Sequence, residues 1–189
     1  MNKKEHSCLQ TCSQKGWGEG QWSESIELPP DIKRIYDVLS ETEFKNLLNM
    51  VDQIPYSFQP YLNEEQDRED KTCYFATTLF KDYTVYYPPV FEVCRPLLVK
   101  LDVKSLFRMK INLYVGESKF IKHAPHRDTN FKSKGFVLYL NTNNGYTKIG
   151  DIKIPSIENT GVKFDGNALH HSTNCTDKQR RLTINLNYF

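Results

Sequence analysis

The sequence predicts an α+β fold, a jelly-roll, cupin-like β-core propped by helices from the N-terminal half. Helical periodicity is confined to the first 105 residues, where Phe44, Leu47, Leu48 and Val51 recur at helix spacing. From Leu106 onward, short alternating apolar segments separated by turn residues read as antiparallel strands. Residues of metal-ligand type, His126, Asp128, His170 and His171, gather in that β-rich last third.

At 189 residues the chain is long enough to bury one sizeable core. A hydrophobic content of 39% and an aromatic content of 13% indicate a globular protein. Lys plus Arg number 25 against 23 for Asp plus Glu, and this near-balance argues against a dedicated nucleic-acid binder. Cys8, Cys12, Cys73, Cys94 and Cys175 form an odd, scattered set, neither a disulfide framework nor a C-x-x-C zinc motif. No apolar segment follows the basic residues near Met1, and no run reaches membrane-spanning length. A soluble, intracellular, reduced protein without membrane contact is expected.

Residues 1–30 read as an extended arm, because Gly16, Gly18, Gly20 and the pair Pro29-Pro30 break regular structure around Trp17 and Trp22. Residues 31–189 form the expected single domain, with helical support over 31–105 and the jelly-roll over 106–189. Ile32 to Leu39 could be a strand. Ser40 and Glu43 make a capping box ahead of a helix that ends near Ile54-Pro55. Glu64 to Asp70 is a charged, solvated loop. Cys73 to Phe80 and Tyr83 to Tyr87 read as strands, and Pro88-Pro89 opens a helix through Val99 that Pro96 breaks. Strands then follow at Phe107–Tyr114, Gly135–Asn141, Tyr146–Ile149, Ile152–Ile154, Val162–Phe164 and Leu182–Tyr188. Asn144-Gly145 is the expected hairpin turn.

His126 and Asp128 are two apart, so on a strand both side chains leave one face and can chelate one ion. A third ligand must come from beyond residues 129–169, and His170 and His171 compete for the place. His170 is preferred because Phe164, of buried type, precedes it by six positions at the same strand parity. Two imidazoles and one carboxylate with open positions suit non-haem Fe(II) that also binds O2. On the last strand Arg181, Thr183, Asn185 and Asn187 share a face, while Leu182, Ile184, Leu186 and Tyr188 share the other. A polar face inside a core-forming region needs water or a polar ligand. Arg180, on the opposite parity, should face solvent. Asn112 and Tyr114 make a second polar pair at strand spacing, and Tyr139 ends an apolar strand.

The order His126-Arg127-Asp128, His170, Arg181 resembles the Fe(II)- and 2-oxoglutarate-dependent dioxygenases, whose fold is a double-stranded β-helix. Asn112-Leu113-Tyr114 is similar to the N-x-Y of AlkB-type dealkylases. Tyr139-Leu140-Asn141 and the run Phe164 to His170 are similar to prolyl-hydroxylase segments. The run from Tyr139 to Thr147 and the ending Asn185 to Phe189 also resemble small oxygenases of phages and marine microbes. The resemblance covers Phe107 to Phe189. It implies Fe(II) held by His126, Asp128 and His170, and 2-oxoglutarate held by Arg181 with Tyr139, Tyr114, Asn112 and Thr183. O2 is the co-reactant.

The substrate implied is an unactivated C–H bond of a protein or peptide, at prolyl, ahead of a nucleic-acid base. A cupin-like module that binds a metal without turnover and a purely structural β-domain are the contrasting readings, since a fold alone does not imply activity.

Overall fold

In the computed structural model, which describes residue 29 and residues 31–60 and 73–189, β5 (Leu106–Val115) and β11 (Arg180–Tyr188) pair antiparallel through the middle of the larger sheet. Apart from Pro29, the expected arm over 1–30 lies outside the described residues, as do the charged loop Glu64 to Asp70 and Cys8 and Cys12. Among the described residues the larger sheet runs in the order β1 (Lys33–Ile35), β9 (Thr160–Asp165), β6 (Lys134–Tyr139), β11, β5, β3 (Tyr74–Lys81), β2 (Ser57–Gln59). A short β4 (Thr84–Val85) pairs with β3. The smaller sheet has the order β10 (His170–Ser172), β7 (Asn143–Ile149), β8 (Ile152–Ser156).

Alternation along the strands decides what each face of the large sheet does. Leu182, Ile184, Leu186 and Tyr188 of β11, with Met109 and Ile111 of β5 and Phe136 and Leu138 of β6, form the main apolar core. Helix α1 (Glu41–Val51) supplies Phe44, Leu47 and Val51 to it; α2 (Pro88–Val93) adds Val90 and Phe91, and α3 (Arg95–Lys100) adds Leu97. Leu47 and Leu97 are both 0% exposed, each worth about 1.5–3 kcal/mol of burial. On the opposite face Val137 and Tyr139 of β6 and Val162 and Phe164 of β9 meet Ile149 and Ile154 of the small sheet. The two sheets therefore face one another, as a jelly-roll requires.

Several elements match expectation. Ser40 caps α1 through a full capping box with Glu43, and the helix pair breaks at Cys94, just ahead of Pro96, which lacks the donor to continue α2. The strands expected over Ile32–Leu39 and Tyr83–Tyr87 shrink to β1 and β4. Asp37 enters the left-handed region (φ 46°) and ends β1.

Asn144-Gly145 is not a turn. Both residues lie inside β7, whose hairpin to β8 turns at Gly150-Asp151, with Gly150 at φ 54°. Gly145 is needed for close approach: a Cβ there would come within 2.5 Å of the Asn174 carbonyl and 2.6 Å of Arg181 Cδ. Asn144 is engaged elsewhere, bonding Thr176 through its amide and Asp177 through its backbone. A two-residue turn with both φ values positive occurs instead at Asp82-Tyr83, joining β3 to β4.

Candidate metal centre and cosubstrate cleft

Between the two sheets, the polar faces of β5 and β11 line a cleft of about 190 Å³. Register places Tyr114 opposite Arg181, Asn112 opposite Thr183, Lys110 opposite Asn185 and Arg108 opposite Asn187. The expected polar stripe of β11 thus turns inward, and Arg180, on the other parity, pairs with Asp52 near the surface.

At one end of the cleft His126, Asp128 and His170 bring one ligand atom each within 4.8 Å of the others. His126 Nε2 stands 3.9 Å from Asp128 Oδ1, and His170 Nε2 stands 3.8 Å from Oδ2. Each ring turns its Nδ1 to a backbone carbonyl, Ala124 for His126 at 3.3 Å and Ala168 for His170 at 2.9 Å. A carbonyl only accepts, so Nδ1 carries the proton and Nε2 keeps its lone pair for a metal. An ion with bonds of about 2.1 Å draws adjacent donors to about 3 Å apart, a contraction within reach of side-chain rotation. The donor set fits Fe(II).

His126 and Asp128 do not lie on a regular strand as expected. They sit in the connection between β5 and β6, held by an isolated bridge in which His126 and His170 exchange backbone hydrogen bonds of 2.9 and 3.0 Å. That bridge, not strand parity, aims both side chains at His170. His170 is 4% exposed and faces the cleft, whereas His171 lies against Tyr146 on the outer side. The parity argument from Phe164 reached this residue by a wrong route. Phe164 belongs to β9 and His170 to β10, and the two meet as rings 5.0 Å apart across strands.

Burial opposes ionisation of Asp128, but Arg108, His170 and His126 together outweigh it and hold the carboxyl at about 2. Burial and the neighbouring His170 push His126 down to about 4, so its neutral form is favoured. Both are in the protonation states a metal needs. Arg108 was not singled out from the sequence, yet its Nη2 donates to Asp128 Oδ1 at 2.7 Å. Asn187 Nδ2 holds Oδ2 at 3.1 Å.

At the other end Arg181 is 0% exposed. Its Nε donates to Ser156 (2.7 Å), Nη1 to Ser172 (2.5 Å) and Nη2 to Thr147 (3.0 Å), all neutral hydroxyls. No carboxylate pairs with it among the described residues. The rings of Tyr114 and Tyr139 flank the guanidinium at 5.4 and 5.6 Å. Tyr114 and Thr183 line the cleft; Tyr139 does not, being enclosed among Ile149, Ile154 and Val162. Asn112 also lines the cleft, and its Oδ1 is buried without a hydrogen-bond partner. A fully buried cation whose partners among the described residues are neutral, three hydroxyls and the Thr173 carbonyl at 3.3 Å, describes a cradle for an anionic ligand. A dicarboxylate such as 2-oxoglutarate fits it.

Asn141, the end of the Tyr139-Leu140-Asn141 run, extends the pairing of β6 with β11: its Oδ1 accepts from Leu182 N and its Nδ2 donates to Arg180 O. The missed residues Arg108 and Lys110 follow from the alternation already applied to β11. Arg108, Lys110, Asn112 and Tyr114 form one polar stripe on β5.

No protein-family model matches the chain, and no curated protein matches it in sequence. Solved structures do match in fold. A 2OG-Fe(II) oxygenase-family oxidoreductase from Burkholderia pseudomallei aligns at TM-score 0.63 and 11% identity, over 84% of each chain. A prolyl hydroxylase from Trichoplax adhaerens, solved with a hypoxia-inducible-factor peptide fragment, aligns at 0.61 and 14% over 84% and 83%. The epimerase SnoN, solved with Fe3+ and alpha-ketoglutarate, aligns at 0.53 and 12% over 84% and 78%. The chain therefore has the fold of the 2OG-Fe(II) oxygenases, a double-stranded β-helix with supporting helices.

Proposed function

We propose that this protein is an Fe(II)- and 2-oxoglutarate-dependent dioxygenase that hydroxylates an unactivated C–H bond of a protein or peptide substrate, at prolyl. The observation that carries the reading is the pairing of two features in one cleft. His126, Asp128 and His170 converge at one end, and Arg181, buried with no counter-ion among the described residues, waits at the other. Bound Fe(II) and 2-oxoglutarate would supply the oxidation, consuming O2 and releasing succinate and CO2.

In this reading His126 Nε2, Asp128 and His170 Nε2 hold the metal, and the Ala124 and Ala168 carbonyls fix the two ring tautomers. Arg181 holds the far carboxylate of the cosubstrate, and Ser156, Ser172 and Thr147 keep the guanidinium in place when that carboxylate leaves. Tyr114, Asn112 and Thr183 line the path between the two ends, and Tyr139 backs Arg181 from behind. The peptide preference is supported by the likeness to a prolyl hydroxylase solved with a peptide. No described helix is long and apolar enough to cross a membrane.

The test is succinate release from 2-oxoglutarate under O2, with prolyl peptides and single-stranded oligonucleotides offered side by side. Peptide-stimulated release with a mass gain of one oxygen on the peptide supports the reading. Stimulation by the oligonucleotide alone would move the substrate to nucleic acid. Metal binding without succinate would leave a non-catalytic module.

A further inference from the structure

Among the described residues, the cleft holds more positive charge than a metal and a dicarboxylate can use: Arg108, Lys110, Arg127 and Arg181 line it, against Asp128 as the carboxylate. With Fe(II) and 2-oxoglutarate in place, the metal and Arg181 are balanced by Asp128 and the two cosubstrate carboxylates. Arg108, Lys110 and Arg127 remain in excess.

Lys110 is the least compensated of the three. Arg108 is tied to Asp128 and Asn187, and Arg127 donates to the Asn167 carbonyl at the rim. Lys110 Nζ makes one hydrogen bond, to the Tyr74 phenol at 3.2 Å, and lies 5.4 Å from that ring's centre. It enters no ion pair among the described residues. Tyr74 belongs to β3, on the far side of β5 from β11, and stacks on Tyr114. Along β5 Lys110 lies between Tyr114, which pairs with Arg181, and Arg108, which bonds Asp128, and its ammonium leans to Tyr74 of β3. Burial and the adjacent Arg108 lower Lys110 to about 8, as expected where a cation lacks a partner.

Resting on the oxygenase reading, we infer that Lys110, supported by Arg108, recognises an anionic group, carboxylate or phosphate, on the primary substrate. An anion placed there would supply the counter-charge that the cleft lacks and would discriminate against neutral analogues, which leave Lys110 unpaired. Arg108 would add a second donor, while its bond to Asp128 links substrate docking to the metal end.

The test is calorimetric titration of inorganic phosphate, and separately of acetate, into the protein carrying Zn(II) and saturating 2-oxoglutarate, a complex that does not turn over. One anion should bind saturably, Lys110→Met should weaken it about tenfold or more, and Lys110→Arg should retain it. Preference for phosphate or for acetate identifies the source of the anionic group. Circular dichroism checks that Lys110→Met is folded, with Lys110→Gln as the second neutral variant. Absence of binding by either anion, or equal binding in the neutral variant, overturns the inference. So does a Lys110→Met that loses 2-oxoglutarate as severely as Arg181→Ala, because Lys110 would then serve the cosubstrate. Failure of 2-oxoglutarate to bind wild type would sink the oxygenase reading separately, and anion titrations on the Zn(II) protein alone would still test Lys110.

Discussion

Asp128 accepts a hydrogen bond from Arg108 at 2.7 Å while its two oxygens face His126 and His170 at 3.9 and 3.8 Å, so one carboxylate joins the metal ligands to the cationic stripe of β5. Removing it breaks both relationships. Asp128→Ala is expected to abolish Fe(II) binding, a larger loss than the 10–100-fold typical of outer-shell partners. His170→Ala should do the same, whereas His171→Ala should bind metal like wild type, because His171 packs outside against Tyr146. Metal titration of the three variants checks this, and a His171→Ala protein that loses metal would reverse the ligand assignment.

Arg181→Ala should spare the metal and weaken 2-oxoglutarate by about 2–5 kcal/mol, the usual effect of truncating one partner of a buried charge pair. Equilibrium titration of the Zn(II) protein measures it. Unchanged affinity would place the dicarboxylate elsewhere.

Gly145 lies where any side chain would strike the Asn174 carbonyl and the Arg181 shaft. Gly145→Ala is expected to lower stability by about 1–3 kcal/mol through overpacking and to weaken 2-oxoglutarate by displacing the guanidinium. Denaturant melts and ligand titration on one preparation test both effects together.

The capping box of α1 is remote from the cleft. Ser40→Ala should cost about 1 kcal/mol and lower Tm by about 2–4 °C, with 2-oxoglutarate affinity unaffected.

The His123 ring lies 4.7 Å from that of Tyr114, tilted by 33°, and burial, reinforced by Arg181 and His126, pushes it down to about 3 from an ordinary 6.5. Its proton is taken up more readily by the unfolded chain. Stability is therefore full above pH 6.5 and is lost as pH falls from there towards 3. At pH 5 the loss attributable to His123 is on the order of 2 kcal/mol. Chemical denaturation of the metal-free protein at pH 7 and pH 5 should show a smaller drop for His123→Phe than for wild type.

The sequence made the site more legible than its supports. The polar face of β11 could be read because polar and apolar residues alternate with parity, and the same alternation on β5 would have revealed Arg108 and Lys110. The convergence of His126 and Asp128 depends on a single bridge to His170 within irregular chain, which no periodicity announces. Asn144-Gly145 carries a local turn signal that a tertiary demand overrides, since Gly145 must let Asn174 and Arg181 come close. Tyr139 has the right face but sits one layer too deep, and depth depends on the small sheet closing over it.

The most direct test of the central claim is an anaerobic Fe(II) titration in the presence of 2-oxoglutarate, followed through the visible charge-transfer band of the chelate. Wild type should develop the band to saturation at one iron per chain, and Asp128→Ala, folded by circular dichroism, should show none. A folded wild-type protein that develops no band would contradict the assignment of this cleft to iron and 2-oxoglutarate.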